Sequence, residues 1–280
     1  MSRMYDKLKM DRSVQVGFCI LLIVIILGVC APLITSADPY LVNLSERLQS
    51  PSYQHIMGTD ELGRDYFSRL LYGTRVSLLT AIAVTFGCLI IGVSIGLIAG
   101  YAGNVVDEIL MRIVDIFLSF PSLLLAFAVA GLLGPSTFNL ILAMVATGWV
   151  SYSRVIRSEV LVVKEQDFIL SAKAIGCNHF RIITRHIIPN IIGPIIVLAT
   201  LDIGIVLLGI CGMSYLGLGS QPPIPEWGSM LNAGQKYMGT VPTLMFFPGF
   251  MIFITVFSCN LVGDGLRDVL DPKNVDGVQV

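Results

Sequence analysis

Six stretches of this sequence run on with few or no charges: 14–34, 76–100, 113–133, 139–155, 191–214 and 244–262. A helix needs about 20 apolar residues to cross about 30 Å of hydrocarbon, and within lipid it must satisfy its own backbone hydrogen bonds. Runs of this length therefore restrict the chain to a bundle of membrane helices. Composition points the same way: 55% of the 280 residues are hydrophobic and 13% are charged, where a soluble domain carries about a quarter charged residues. The expected fold is an all-α membrane protein with six transmembrane helices.

The polar residues inside the runs are few. Ser151 and Ser153 lie near the end of the short fourth run, and Asp202 is the one acid well inside a span. Arg112 and Asp115 fall at the start of the third run, where the interface is expected, and Asp264 closes the sixth. Gly92-Val-Ser-Ile-Gly96 has the small-xxx-small spacing that lets two helices approach closely, a spacing also common in any bundle. Lys and Arg concentrate in the N-terminal tail (Arg3, Lys7, Lys9, Arg12) and in the connection 156–190. By the positive-inside rule both termini and that connection are expected to be cytoplasmic. The organisation expected is a tail, first span and external loop over 1–75, a core over 76–265 with a cytoplasmic segment at 160–190, and a cytoplasmic tail over 266–280. The first apolar run is too long for the core of a secretory signal. Five of the six cysteines fall in or at the ends of runs, where a thiol acts as a small apolar residue, and Cys177, His179 and His186 match no zinc spacing. No metal site is expected.

The chain carries no motor of its own. A phosphate-binding loop needs Gly-Lys-[Ser/Thr]; here the lysines follow Asp6, Leu8, Val163, Ala172, Gln235 and Pro272. Gly212-Met-Ser214-Tyr-Leu216 lacks the second glycine of a nucleophile elbow, and no span offers a histidine base. A proton- or sodium-coupled carrier would have Asp202 as its only intramembrane ionisable group, and a structural acid explains that residue as well. No catalytic residue is expected.

Residues 168–189, FILSAKAIGCNHFRIITRHIIP, interrupt the apolar chain with Lys173, Arg181 and Arg185. At 100° per residue Phe180, Ile183 and Ile187 share one side, and Asn178, Arg181 and Arg185 the other. Gly176 can form a sharp turn between two short helices, and Pro189 is expected to break the second before the fifth span. Small residues at Ser171, Ala172 and Ala174 leave room for another surface. Patterning alone allows either a helix–turn–helix platform for a partner or an amphipathic helix resting on lipid headgroups.

The segment resembles the EAA motif of binding-protein-dependent ABC importer permeases. Aligned on Gly176 and Pro189, it reads Leu170-Ser171-Ala172-x-x-x-Gly176 and then His186-x-Ile188-Pro189; Leu170 stands where the motif has glutamate and Ser171 where it has alanine. His55-x-x-Gly58-Thr59-Asp60-x-x-Gly63-Arg64-Asp65-x-x-Ser68-Arg69 is similar to a segment of the peptide/nickel group. So are the stretch from Gly212 to Gly219 with Gln221-Pro222-Pro223 and Glu226-Trp227-Gly228, and Asn260 to Asp268 with Leu270-Asp-Pro272. The resemblance implies a type I importer permease fold in the cell membrane of a prokaryote. It implies a second, homologous permease subunit, two cytoplasmic ATPase subunits that hold ATP and Mg, and an external substrate-binding protein, with no nucleic acid partner. It makes Ser171, Ala172, Lys173, Ala174, Gly176, Arg181, Arg185 and Pro189 the segment that receives force from the ATPases. Leu198 to Gly204, with Gly212-Met-Ser-Tyr, looks closer to nickel-importing members than to dipeptide members. A chelated metal or peptide-like cargo is expected over a bare ion, with Asp202 and Met213 as candidates for the path.

Overall fold

The computed structural model describes residues 12–270. The tail residues Arg3, Lys7 and Lys9, and Asp271 and Pro272 of the C-terminal signature, lie outside them. In chain order the α-helices are α1 (Arg12–Val29), α2 (Ala31–Ile34), α3 (Tyr66–Ala102), α4 (Asn104–Leu118), α5 (Ser122–Leu133), α6 (Thr137–Lys164), α7 (Asp167–Ala174), α8 (His179–Ile182), α9 (Ile188–Tyr215), α10 (Trp227–Gln235) and α11 (Thr243–Leu270). A π-helical turn, Ile183–Ile187, joins α8 to α9. Among the described residues the only β-pairing is an isolated bridge between Thr59 and Asp65.

Five helical stretches are long and apolar enough to span a membrane, and the bent pair α4–α5 brings the number to six if it counts as one crossing. That pair holds the third apolar run, expected as one transmembrane helix, which is instead two helices meeting at 82°. Pro121 explains the break, since it lacks an N–H and steers the residue before it away from helical geometry. The short fourth run is the first part of α6, which continues to Lys164, where Arg154 and Arg157 have partners. Arg157 Nη2 donates to Asp107 Oδ2 at 2.6 Å and Arg154 Nη2 to Asp115 Oδ1 at 2.6 Å, tying α4 to α6.

The α3–α6 contact is built on small residues. A Cβ on Gly96 would stand 2.6 Å from the Ser153 carbonyl oxygen, and one on Gly100 2.8 Å from Val160 Cβ. The Gly92–Gly96 spacing is thus a helix-packing seam that extends to Gly100. Around it lies the main core, with Leu140, Leu207, Ile210, Met213 and Trp227 all fully buried or nearly so.

At the Tyr66 end of α3 the loop 35–65 closes on polar side chains. Asp65 caps α3 by accepting from the Ser68 N–H at 2.8 Å and also meets His55 Nδ1 at 2.9 Å. Asp60 accepts from Arg64 Nε at 2.7 Å and faces Arg69 Nε at 3.2 Å, while Arg69 Nη1 donates to the Pro39 carbonyl at 2.9 Å. Gly58 and Gly63 turn the loop with φ of 76° and 71°.

The helix α10 packs against the same end. Glu226 caps it, accepting from the Gly228 and Ser229 N–H groups at 2.9 Å each, and Trp227 Nε1 donates to the Leu70 carbonyl at 3.3 Å. Burial raises the Glu226 carboxyl above its usual range, and the two N–H groups oppose the shift. Glu226→Ala is expected to lower stability by about 2 kcal/mol, while Glu226→Gln, neutral and still an acceptor, keeps most of it. Thermal unfolding of the two variants in detergent checks the difference; wild-type stability of Glu226→Ala would show that the cap contributes nothing.

Candidate functional site

At the Ala102 end of α3, the segment 167–188 folds into a small platform. The turn after α7 follows from Gly176, whose φ of 78° suits glycine. Cys177 N–H donates to the Ala172 carbonyl and Gly176 N–H to the Lys173 carbonyl, both at 3.0 Å, which is the double closure of a Schellman motif. Asn178 then starts α8, its Oδ1 accepting from the Phe180 N–H at 2.7 Å and the Arg181 N–H at 3.3 Å.

The back of the platform is a second apolar core. Ile169, Ile182, Ile187 and Ile191 are fully buried against Ile156 and Val160 of α6. Two polar contacts add to it: Lys164 Nζ donates to the Gly100 carbonyl at 2.9 Å, and the Tyr101 hydroxyl meets His179 Nδ1 at 2.7 Å. The platform is therefore attached to α3, α6 and α9, and any displacement of it acts on all three.

Among the named residues Ala172 is buried, while Ser171, Lys173, Ala174, Gly176, Arg181, Arg185 and Pro189 are exposed. The expected apolar side needs correcting at Phe180, which is 74% exposed; Ile182 takes the buried position beside Ile187 and the half-buried Ile183. A single 100° wheel does not apply, because the Gly176 turn and the π turn each reset the register. Pro189 does not break the chain either. The Ile188 N–H reaches back five residues to the Ile183 carbonyl, and the widened turn passes a proline that has no N–H to offer. The outer surface is more apolar than the basic residues suggest: Ile175 is 81% exposed and Leu170, at the motif's glutamate position, 46%.

Nearer the middle of the bundle, α3, α4, α5, α6 and α9 line an open cavity of about 610 Å³. Cys88, Ser122, Met144, Thr147, Ser151 and Asp202 supply its sulfur and oxygen atoms, and the rest of the wall is apolar side chains and glycine. Asp202 accepts a hydrogen bond from the Tyr152 hydroxyl through Oδ2. Met213 stands apart from this wall, fully buried in the main core. Tyr152 escaped the sequence reading because one tyrosine in an apolar run carries no pattern; the neighbouring serines were the available signal.

The chain is thus a bundle of membrane-length helices with a cavity near its middle and an attached platform at one end. The chain belongs to the family described as binding-protein-dependent transport system inner membrane component, whose profile matches residues 92–275. The dipeptide transport system permease protein DppC of Alkalihalophilus pseudofirmus is 44% identical over 96% of this chain and 88% of its own length. The nickel transport system permease protein NikC of Escherichia coli K12 is 42% identical over 94% and 95%. The oligopeptide transport system permease protein OppC of Bacillus subtilis is 38% identical over 95% and 88%. A solved structure of the MetNI methionine ABC transporter, in inward-facing conformations, shares the fold with a TM-score of 0.57, at 18% identity over 72% of this chain and 96% of that one. The fold is that of a type I ABC importer permease. Membership implies a multi-pass inner-membrane subunit that works with an ATPase and a substrate-binding protein.

Proposed function

We propose that this chain forms one half of the pathway of an ATP-driven importer and is moved by ATPase subunits that dock on the platform 167–188. A second, homologous permease subunit supplies the other half. Two cytoplasmic ATPases bind ATP and Mg, and their closure drives alternation between inward- and outward-facing states. An external binding protein delivers a small solute. The observation that carries this reading is the division of the platform into a back face fixed to three helices and an outer face bearing Leu170, Ile175 and Phe180. An exposed apolar knob on a firmly held base suits a groove on a partner better than it suits free solvent.

The relatives named for dipeptide and nickel transport are nearly equal in identity, so the cargo is proposed as a short peptide or a nickel-bearing chelate. Among the described residues no three His, Cys, Asp or Glu side chains gather as metal ligands, which favours a chelated or peptide-like cargo over a bare ion.

Ile175→Asp/Phe180→Asp is expected to leave the protein inserted and folded while reducing co-purification with the ATPases at least tenfold, because two apolar anchors are lost. Retention at the wild-type level would overturn the docking assignment. Arg181→Ala and Arg185→Ala, each removing one exposed charge, are expected to cost about 0–1 kcal/mol of that association. Uptake should also persist when ion gradients are collapsed at constant ATP; its loss would instead favour an ion-coupled carrier working through Asp202.

A further inference from the structure

Asp202 lies near the midpoint of α9, facing a cavity in which it is the only residue among Asp, Glu, Lys, Arg and His. One carboxylate oxygen is taken: the Tyr152 hydroxyl donates to Oδ2. The other, Oδ1, has no hydrogen-bond partner among the described residues. Tyr152 is itself held by packing, since its Cβ lies against Gly92 in the α3–α6 seam. The carboxylate is therefore held through one oxygen on the wall of the cavity. Thr147 and Ser151, one turn apart on α6, line the same cavity, although the Thr147 hydroxyl is already bonded to the Ala143 carbonyl at 3.1 Å. The volume of about 610 Å³ is within the range of small-molecule sites and suits a solute of a few residues.

Two other uses of this acid fit less well. A purely structural acid would use both oxygens within the packed bundle, whereas Asp202 stands on the cavity wall with a hydrogen bond seen only at Oδ2. A divalent metal would need several His, Cys, Asp or Glu ligands; only Cys88 joins Asp202 in the cavity wall, and no group of three such side chains gathers there among the described residues. A single oriented carboxylate in an otherwise apolar and hydroxyl-lined chamber matches one compact cation with three N–H donors, that is, a primary ammonium.

We propose that Asp202, positioned by Tyr152, receives the ammonium group of a peptide-like cargo as it passes through this cavity. The inference rests on the importer reading above and adds a chemical class of cargo to it. Binding involves no bond making: the ammonium donates to Asp202 Oδ1 while Tyr152 keeps Oδ2. The free amino group distinguishes such a cargo from a blocked peptide, which presents no cation.

The test uses the complete transporter, with its ATPases and binding protein, in proteoliposomes. ATP-driven uptake is compared for a dipeptide and for its N-acetyl derivative, in wild type and Asp202→Asn. The binding protein is the same throughout, so its own preference cancels in the ratio between the two permeases. The expected result is that Asp202→Asn lowers uptake of the free dipeptide about tenfold and leaves that of the acetylated one unchanged, as loss of a charge-assisted hydrogen bond predicts. Asp202→Glu should retain the preference. An equal fall for both cargoes, or no fall for either, overturns the proposal. If Asp202→Asn does not reach the membrane, Ser151→Lys leaves the carboxylate in place and supplies a competing ammonium in the same cavity. It must give the same selective loss, and equal effects on both cargoes would overturn the proposal. ATP-driven uptake of nickel compounds but of no peptide would overturn the ammonium site and leave the importer reading standing. No ATP-driven uptake of any cargo by the wild type would remove both.

Discussion

Asp60→Ala is expected to lower the stability of the folded protein by about 3–5 kcal/mol. Asp60, Arg64 and Arg69 are only 6%, 5% and 5% exposed, so the substitution leaves two largely buried guanidinium groups without their shared carboxylate. The Asp60 Oδ1 bonds to the Leu62 and Arg64 N–H groups, at 2.8 and 3.0 Å, disappear as well, and with them the shape of the turn that leads into α3. Arg69 retains the Pro39 carbonyl, and its second contact, to the Pro223 carbonyl at 3.3 Å, joins this loop to the segment before α10. Loss of Asp60 should therefore loosen both connections together. The double variant Asp60→Leu/Arg64→Leu should recover part of the loss, because it removes a stranded charge along with its partner. Thermal unfolding in detergent and the amount of protein in the membrane report the effect. A change below about 1 kcal/mol would mean that water reaches the cluster and screens it.

Gly96→Leu is expected to cost about 3 kcal/mol or more, because the first added atom already stands 2.6 Å from a backbone oxygen of α6. Backbone cannot yield as a flexible side chain can, so α3 and α6 must part along their length. The damage would spread to the Tyr152 position and to the base of the platform, since both are carried by α6. Gly131→Leu is the control: nothing lies within 4 Å of the position its Cβ would take, and the change should stay within about 0.5 kcal/mol. Monodispersity and melting temperature of the two variants in detergent separate them. Comparable behaviour would show that the seam tolerates separation and that its glycines are incidental.

The helical bundle was legible in the apolar runs because a membrane leaves few alternatives to a helix. Element ends were less legible: α6 outlasts its apolar run because Arg154 and Arg157 reach carboxylates on α4, a long-range pairing that hydropathy along the chain cannot reveal. The third span could have been read as broken at Pro121, yet an apolar run on both sides masks the proline. On the platform, Gly176 and Pro189 marked two points of irregular backbone correctly, but the irregularity at Pro189 took the form of a wider turn and not a stop. Phe180 was assigned to the wrong face for the same reason, since a helical wheel assumes one uninterrupted period. Asp202 stood out as an isolated acid. Its neighbours in space, Cys88, Thr147 and Tyr152, come from other helices and were separable from ordinary packing residues only once the helices were brought together.

The π turn before α9 has a consequence for how this chain tolerates change in length. Such a turn accommodates one residue more than an α-helix would, and each residue advances a helix by about 100°. Deleting one residue between 183 and 187 would let the segment relax to a regular helix and leave the platform at nearly the same height and azimuth, because the five residues of the wide turn advance the chain about as far as four in an α-helix. The turn thus acts as a buffer of length between the platform and the fifth span, where one residue can be lost without re-aiming the platform.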